Sequence, residues 1–142
     1  MPGTQVYDNE PGPGLVQHDR IAFAWQSDAS GNATVTSTAG TNGVRTGKVV
    51  GTIYKVGFHP GGGDVAPSAN YDVKLLDEYG GDVLAGLGAD LSNTSSQYKT
   101  PMVPATDGTT EQLAPTMLSN VLTLNVSNAG NAKSGFVVLY LK

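Results

Sequence analysis

From Val50 to Phe58 the chain has a period of two: Val50, Thr52, Tyr54, Val56 and Phe58 fall on one side of an extended backbone, and Gly51, Ile53, Lys55 and Gly57 on the other. Such a run predicts a long central strand. After a breaker segment, residues 60 to 70, Tyr71, Val73 and Leu75 alternate with Asp72 and Lys74, and Asp77-Glu78-Tyr79-Gly80-Gly81 supplies turn chemistry. If about five large side chains from each strand are buried, at roughly 1.5–3 kcal/mol apiece, this pair contributes a large share of the core.

The remaining segments repeat the strand signal. Ile21, Phe23 and Trp25 alternate with Ala22 and Ala24, the turn cluster Ser27 to Asn32 follows, and Ala33 to Thr38 reads as a threonine-rich strand; the two are expected to form a hairpin. A second hairpin is expected from Val121–Val126 and Phe136–Leu141 across the Gly/Asn turn at 127–135. Its last strand is apolar on both faces, which places it in the middle of a sheet or under another subunit. Between Asp82 and Leu91, Val83, Leu84, Leu87 and Leu91 have helical spacing, but Gly86 and Gly88 each cost about 1 kcal/mol inside a helix, so a strand or a loop with one helical turn is expected. Residues 92–117, interrupted by Pro101, Pro104 and Pro115, read as a long polar excursion, a length of loop that compact domains keep for function or partners.

Residues 1–19 contain Pro2, Pro11 and Pro13 among glycines and form an extended arm; residues 20–142 form one domain. An arm of this composition is ordered only where its own domain or a neighbour holds it. The fold class expected is all-β, an antiparallel β-sandwich or barrel of about seven to eight strands behind that N-terminal arm. A charged fraction of 14% and abundant glycine fit a turn-rich β protein. A chain of 142 residues can bury a core without a disulfide or metal staple, and with no cysteine it has neither a thiolate nucleophile nor a sulfur-ligated zinc site.

The net charge of −4 is unevenly spread. Residues 44–60 carry three cations and no carboxylate, whereas residues 61–113 carry eight carboxylates against two lysines. Such blocks suit subunits that meet head to tail. No basic run with interleaved aromatics occurs, so direct nucleic-acid binding is not expected. The opening residues lack a basic, apolar leader and no apolar run reaches a membrane span, so the three Asn-X-Ser/Thr matches at Asn32, Asn93 and Asn125 carry no expectation of glycosylation.

The residue types that carry chemistry are sparse. His18 abuts Asp19 in the arm and His59 precedes Pro60 and three glycines; neither has a spacing partner for a metal pair or a nucleophile dyad. Asp72, Asp77, Glu78 and Asp82 crowd one turn, where paired carboxylates could serve glycoside hydrolysis, but Asp77 and Asp82 flank Gly80-Gly81 and are expected to bond turn amides. Asp28 to Asn32 offers oxygens without the length or the closing glutamate of a calcium loop. The segment Gly40 to Lys48 fails as a phosphate loop, with Asn42 where glycine and Val49 where a hydroxyl is required. No enzyme activity, cofactor or metal is expected.

Three fragments, DRIAFAWQSDASGNAT, PSANYDVKLLDEYGGDVLAG and VLTLNVSNAGNAKSGFVVLYLK, together resemble small structural proteins of tailed bacteriophage virions. The resemblance implies a non-enzymatic virion assembly subunit, similar in role to capsid decoration proteins, head fibres, or neck and tail components; the role expected here is a capsid decoration protein that bridges neighbouring capsid subunits, trimeric itself, with the major capsid protein or another virion protein as partner. A tail or neck component and a virion-surface glycan-binding module using Tyr79, Tyr98 or Trp25 are the alternatives. Partner contacts are expected from the arm through Val6, Tyr7, Leu15 and Val16, and from the excursion through Tyr98, Met102, Val103 and Leu113.

Overall fold

The computed structural model describes residues 19–37, 48–106, 111–115 and 117–142. Among them are ten strands: β1 Asp19–Gln26, β2 Ala33–Thr36, β3 Lys48–Pro60, β4 Asp72–Leu76, β5 Gln97–Lys99, β6 Met102–Thr106, β7 Glu111–Pro115, β8 Met117–Val121, β9 Thr123–Ser127 and β10 Ser134–Leu141. Seven of them make a sandwich of two antiparallel sheets, β1-β10-β3-β5 and β2-β9-β4. The all-β sandwich read from the alternating runs is the observed fold. β10 lies between β1 and β3, the mid-sheet position that is one of the two its apolar faces allow.

One core joins the sheets. Ile21, Phe23, Trp25, Val56, Phe58, Val137 and Leu139 point inward from the four-stranded sheet, and Val73, Leu75, Leu124 and Val126 meet them from the other. The Trp25 and Tyr71 rings touch across this layer, with centroids 5.7 Å apart. Trp25 is a core residue, which removes it from any sugar-binding surface.

The expected phase of β3 fails in its first half. In the β10 ladder Tyr140 faces Lys55 but Leu141 faces Ile53, so Tyr54 is an extra residue, a β-bulge. An inserted residue turns every side chain before it to the other face. Val56 and Phe58 therefore point inward after the bulge and Val49 and Ile53 before it, leaving Val50 62% exposed. The ladder resumes beyond the bulge, where Thr52 and Lys142 exchange both backbone hydrogen bonds.

Neither expected hairpin forms. β1 pairs β10 and β2 pairs β9, so the turn at 27–32 carries the chain from one sheet to the other, and the turn at 128–133 carries it back between β9 and β10. The two crossings lie side by side. Buried Ser27 donates its hydroxyl to the Gly130 carbonyl and accepts from the Lys133 N–H at 2.9 Å. The Ala129 N–H donates to the Gly31 carbonyl at 3.0 Å. Gly31 has φ +84°, and a Cβ there would stand 2.9 Å from the Gly130 nitrogen, so the close approach requires glycine.

Residues 82–91 form successive turns that run back along the open edge of β4, bridged at Leu76 to Asp82 and Tyr71 to Leu91, with Val73 N–H donating to the Gly88 carbonyl at 2.7 Å. Val83, Leu84 and Leu91 enter the core from turns rather than from a helical face. The expectation of a long loop at 92–117 is corrected: this stretch contains β5, the β6–β7 hairpin and the start of β8. β5 and β8 pair with different parts of the same edge of β3, at 56–58 and 48–52, and the hairpin leaves that edge between them. Pro104 faces Leu113 and Pro115 faces Met102; each of β6 and β7 pairs on one side only among the described residues, which is where a strand accepts proline.

Candidate interaction surface

The outer face of the four-stranded sheet carries an unusual set of side chains. Registers place Ala24, Phe136 and His59 in one row, Ala22, Val138, Gly57 and Tyr98 in the next, and Arg20, Tyr140 and Lys55 in the third. Small residues form the floor and rings stand at the margins. Gly57 is part of that design: a Cβ there would stand 2.7 Å from His59 Nε2 and 3.1 Å from Tyr98 Cε1, so its absence lets both rings close over the strand.

Ring and cation contacts organise the face. Lys55 Nζ lies 4.3 Å from the Tyr140 ring centre and 5.1 Å from that of Tyr98. Tyr54, turned out at the bulge, packs on Tyr140 at 6.1 Å and carries Lys142 Nζ at 5.3 Å. His59 meets Tyr98 edge-on at 5.4 Å and shares a 2.8 Å hydrogen bond with Ser96 through Nδ1. Partial burial lowers the His59 pKa from its ordinary value, so the imidazole is neutral at neutral pH. Tyr98 remains 54% exposed and Phe136 45%. The cations are Arg20, Lys55 and Lys142, and no carboxylate occupies these rows.

Carboxylates elsewhere hold turns. Asp77 Oδ1 accepts from the Tyr79 and Gly81 amides, both at 2.9 Å. Asp82 accepts from Leu75, Leu84 and Gly86, as the flanking glycines had indicated for this pair. Asp28 Oδ1 accepts from Ser30 and Asn32, closing its own turn instead of facing a cation. No three His, Asp or Glu side chains among the described residues are grouped to hold a metal. No helix among them is long and apolar enough to cross a membrane.

Of the eight expected contact residues, Val6, Tyr7, Leu15 and Val16 lie outside the described residues. Tyr98 stands on the aromatic face and Met102 is exposed at the base of the β6–β7 hairpin. Val103 and Leu113 are on that hairpin, opposite Ala114 and Pro104. Sequence reasoning missed Tyr54, Lys55, Phe136 and Tyr140, although β10 carried the signal: a strand with both faces apolar in a two-layer sandwich covers the core with one and needs another cover for the second. Tyr79, 92% exposed, stands at the tip of the Asp77 turn. Comparison with protein-family models, with curated proteins and with solved structures finds no match to this chain.

Proposed function

We propose that this chain is a non-enzymatic structural subunit of a tailed-bacteriophage virion, a capsid decoration protein that holds neighbouring capsid subunits together and is itself a trimer. The observation that carries the reading is the outer sheet face, where exposed Phe136 and Tyr98 stand beside half-buried Val138 and Tyr140 as one ring and aliphatic surface. Aromatic side chains anchor interfaces because they bury much area at low entropic cost. The hairpin set off the β3 edge, the arm preceding the edge strand β1, and the three phage-like sequence fragments support the same reading. A capsid repeats one site many times, so an interface of about 1,600 Å² serves each copy and oligomeric subunits gain from avidity.

Counting copies per particle tests it. Hundreds agree with decoration, a few or a dozen point to a neck or tail ring, and absence from particles ends the proposal. Deleting residues 2–14 and measuring capsid occupancy tests the arm: occupancy should fall, and unchanged binding would remove the arm from the account. A second reading, a glycan-binding module, is favoured by the exposure of Tyr98 beside His59 and Ser96. A glycan array without hits retires it.

A further inference from the structure

We infer that a second copy of this chain docks on the aromatic face of the four-stranded sheet and presents to it the carboxylate-rich rim along β4. The inference deepens the oligomeric part of the reading above and rests on it. Among the described residues the rim is an acidic surface: Asp72, Asp77, Glu78, Asp82 and Asp90 gather on β4 and the turns beside it, against Lys74 and the Lys99 ammonium, which donates to the Leu87 carbonyl at 2.7 Å. The face holds Arg20, Lys55 and Lys142 with no carboxylate in its rows. The chain therefore carries both halves of a complementary pair.

The alternative self-contact is disfavoured by the same charges. Two aromatic faces meeting about a two-fold axis would bring both sets of Arg20, Lys55 and Lys142 together, and like charges juxtaposed in an interface repel. Face and rim lie on different sheets, so a face-to-rim contact is heterologous. Such contacts close into rings where the rotation permits, and a three-membered ring is the proposed trimer. The centre of the contact would be Phe136, Tyr98 and Val138 excluding water, with the cations at its margin reading the rim.

The test uses sedimentation velocity on the full chain and two variants. A face variant combines Lys55→Glu with Phe136→Ser. A rim variant combines Asp77→Asn, Glu78→Gln and Asp90→Asn, substitutions that remove charge but retain oxygen acceptors where Asp77 and Glu78 bond backbone amides. Wild type should exceed monomer mass in about 50 mM salt and weaken at least tenfold in about 500 mM, because screening shortens the reach of charge. Each variant alone should be monomeric, and an equimolar mixture should form a one-to-one heterodimer through the one intact face and the one intact rim. Thermal unfolding at the wild-type temperature checks that each variant folds, and Tyr98→Ser replaces the face variant if it does not. A rim variant that self-associates like wild type, a mixture that stays monomeric, or a wild type monomeric at low salt each overturns the inference. A monomer that still decorates capsids would overturn the inference and the proposed trimer while leaving the decoration role standing.

Discussion

Tyr71 shows how burial at one residue becomes a measurable property of the whole fold. Its ring is 1% exposed against Trp25, and burial pushes its pKa up to about 12. An exposed tyrosine titrates near 10, so the buried neutral phenol contributes fully below pH about 10 and loses that contribution as pH rises from there toward 12. The loss approaches about 1.4 kcal/mol per pH unit inside this window. Chemical denaturation across that range should show wild type falling away from Tyr71→Phe above pH about 10. Parallel curves for the two proteins would mean that the phenol is not shielded. Residue roles were legible where the local sequence alone decides them: Asp77 and Asp82 bond amides because adjacent glycines bring those amides within reach. The aromatic face was not, since residues 20–24, 54–59, 98 and 136–140 meet only through the sheet order.

At the scale of elements, alternation revealed the strands but not their partners. A Gly/Asn/Ser cluster between two strands has the same composition whether the chain folds back beside itself or crosses to the opposite sheet. The two crossings here are decided by each other, through the Ser27 clasp and the Gly31 approach, which join segments a hundred residues apart. The bulge at Tyr54 was equally hidden, because a sequence period cannot register one inserted residue between two runs that each alternate correctly. The hairpin at 102–115 was masked by its prolines, which sequence rules read as breakers and a strand paired on one side accepts. The clasp is testable by Ser27→Ala, which leaves the Lys133 N–H and the Gly130 carbonyl without this partner. The change should lower stability by about 1–3 kcal/mol in urea denaturation, with the denaturant slope unchanged. A loss below about 0.5 kcal/mol would mean that the crossings are held by core packing alone.

The whole molecule has two unlike outer faces on one core. The three-stranded sheet turns Thr34, Thr36, Thr123 and Asn125 outward, joined by hydroxyl and amide contacts of 3.3 Å, the polar exterior expected of a solvated antiparallel sheet. The four-stranded sheet turns rings and cations outward, and the β6–β7 hairpin leaves its edge, so the aromatic face and the hairpin belong to the same half, opposite the sheet that carries the acidic β4 rim. The division predicts that the hairpin can be removed without unfolding the sandwich. β5 ends with Lys99 opposite Val56 and β8 begins with Met117 opposite Thr52, so only Ile53, Tyr54 and Lys55 of β3 separate the two pairings. A three-residue linker beginning with Thr100, whose hydroxyl already donates to the Tyr54 carbonyl at 3.0 Å, can therefore join Lys99 to Met117 as one continuous edge strand. Met102, at the base of the hairpin, is exposed, and a shorter connection costs less closure entropy. The excised protein should melt within about 5 °C of wild type, a shift equivalent to about 1 kcal/mol for a domain of this size. Under the proposed decoration role, its occupancy on capsids should fall if the hairpin is a contact element. A drop of about 10 °C or more would instead make the hairpin a structural part of the sandwich, and unchanged occupancy at unchanged stability would leave the aromatic face and the arm as the contacts.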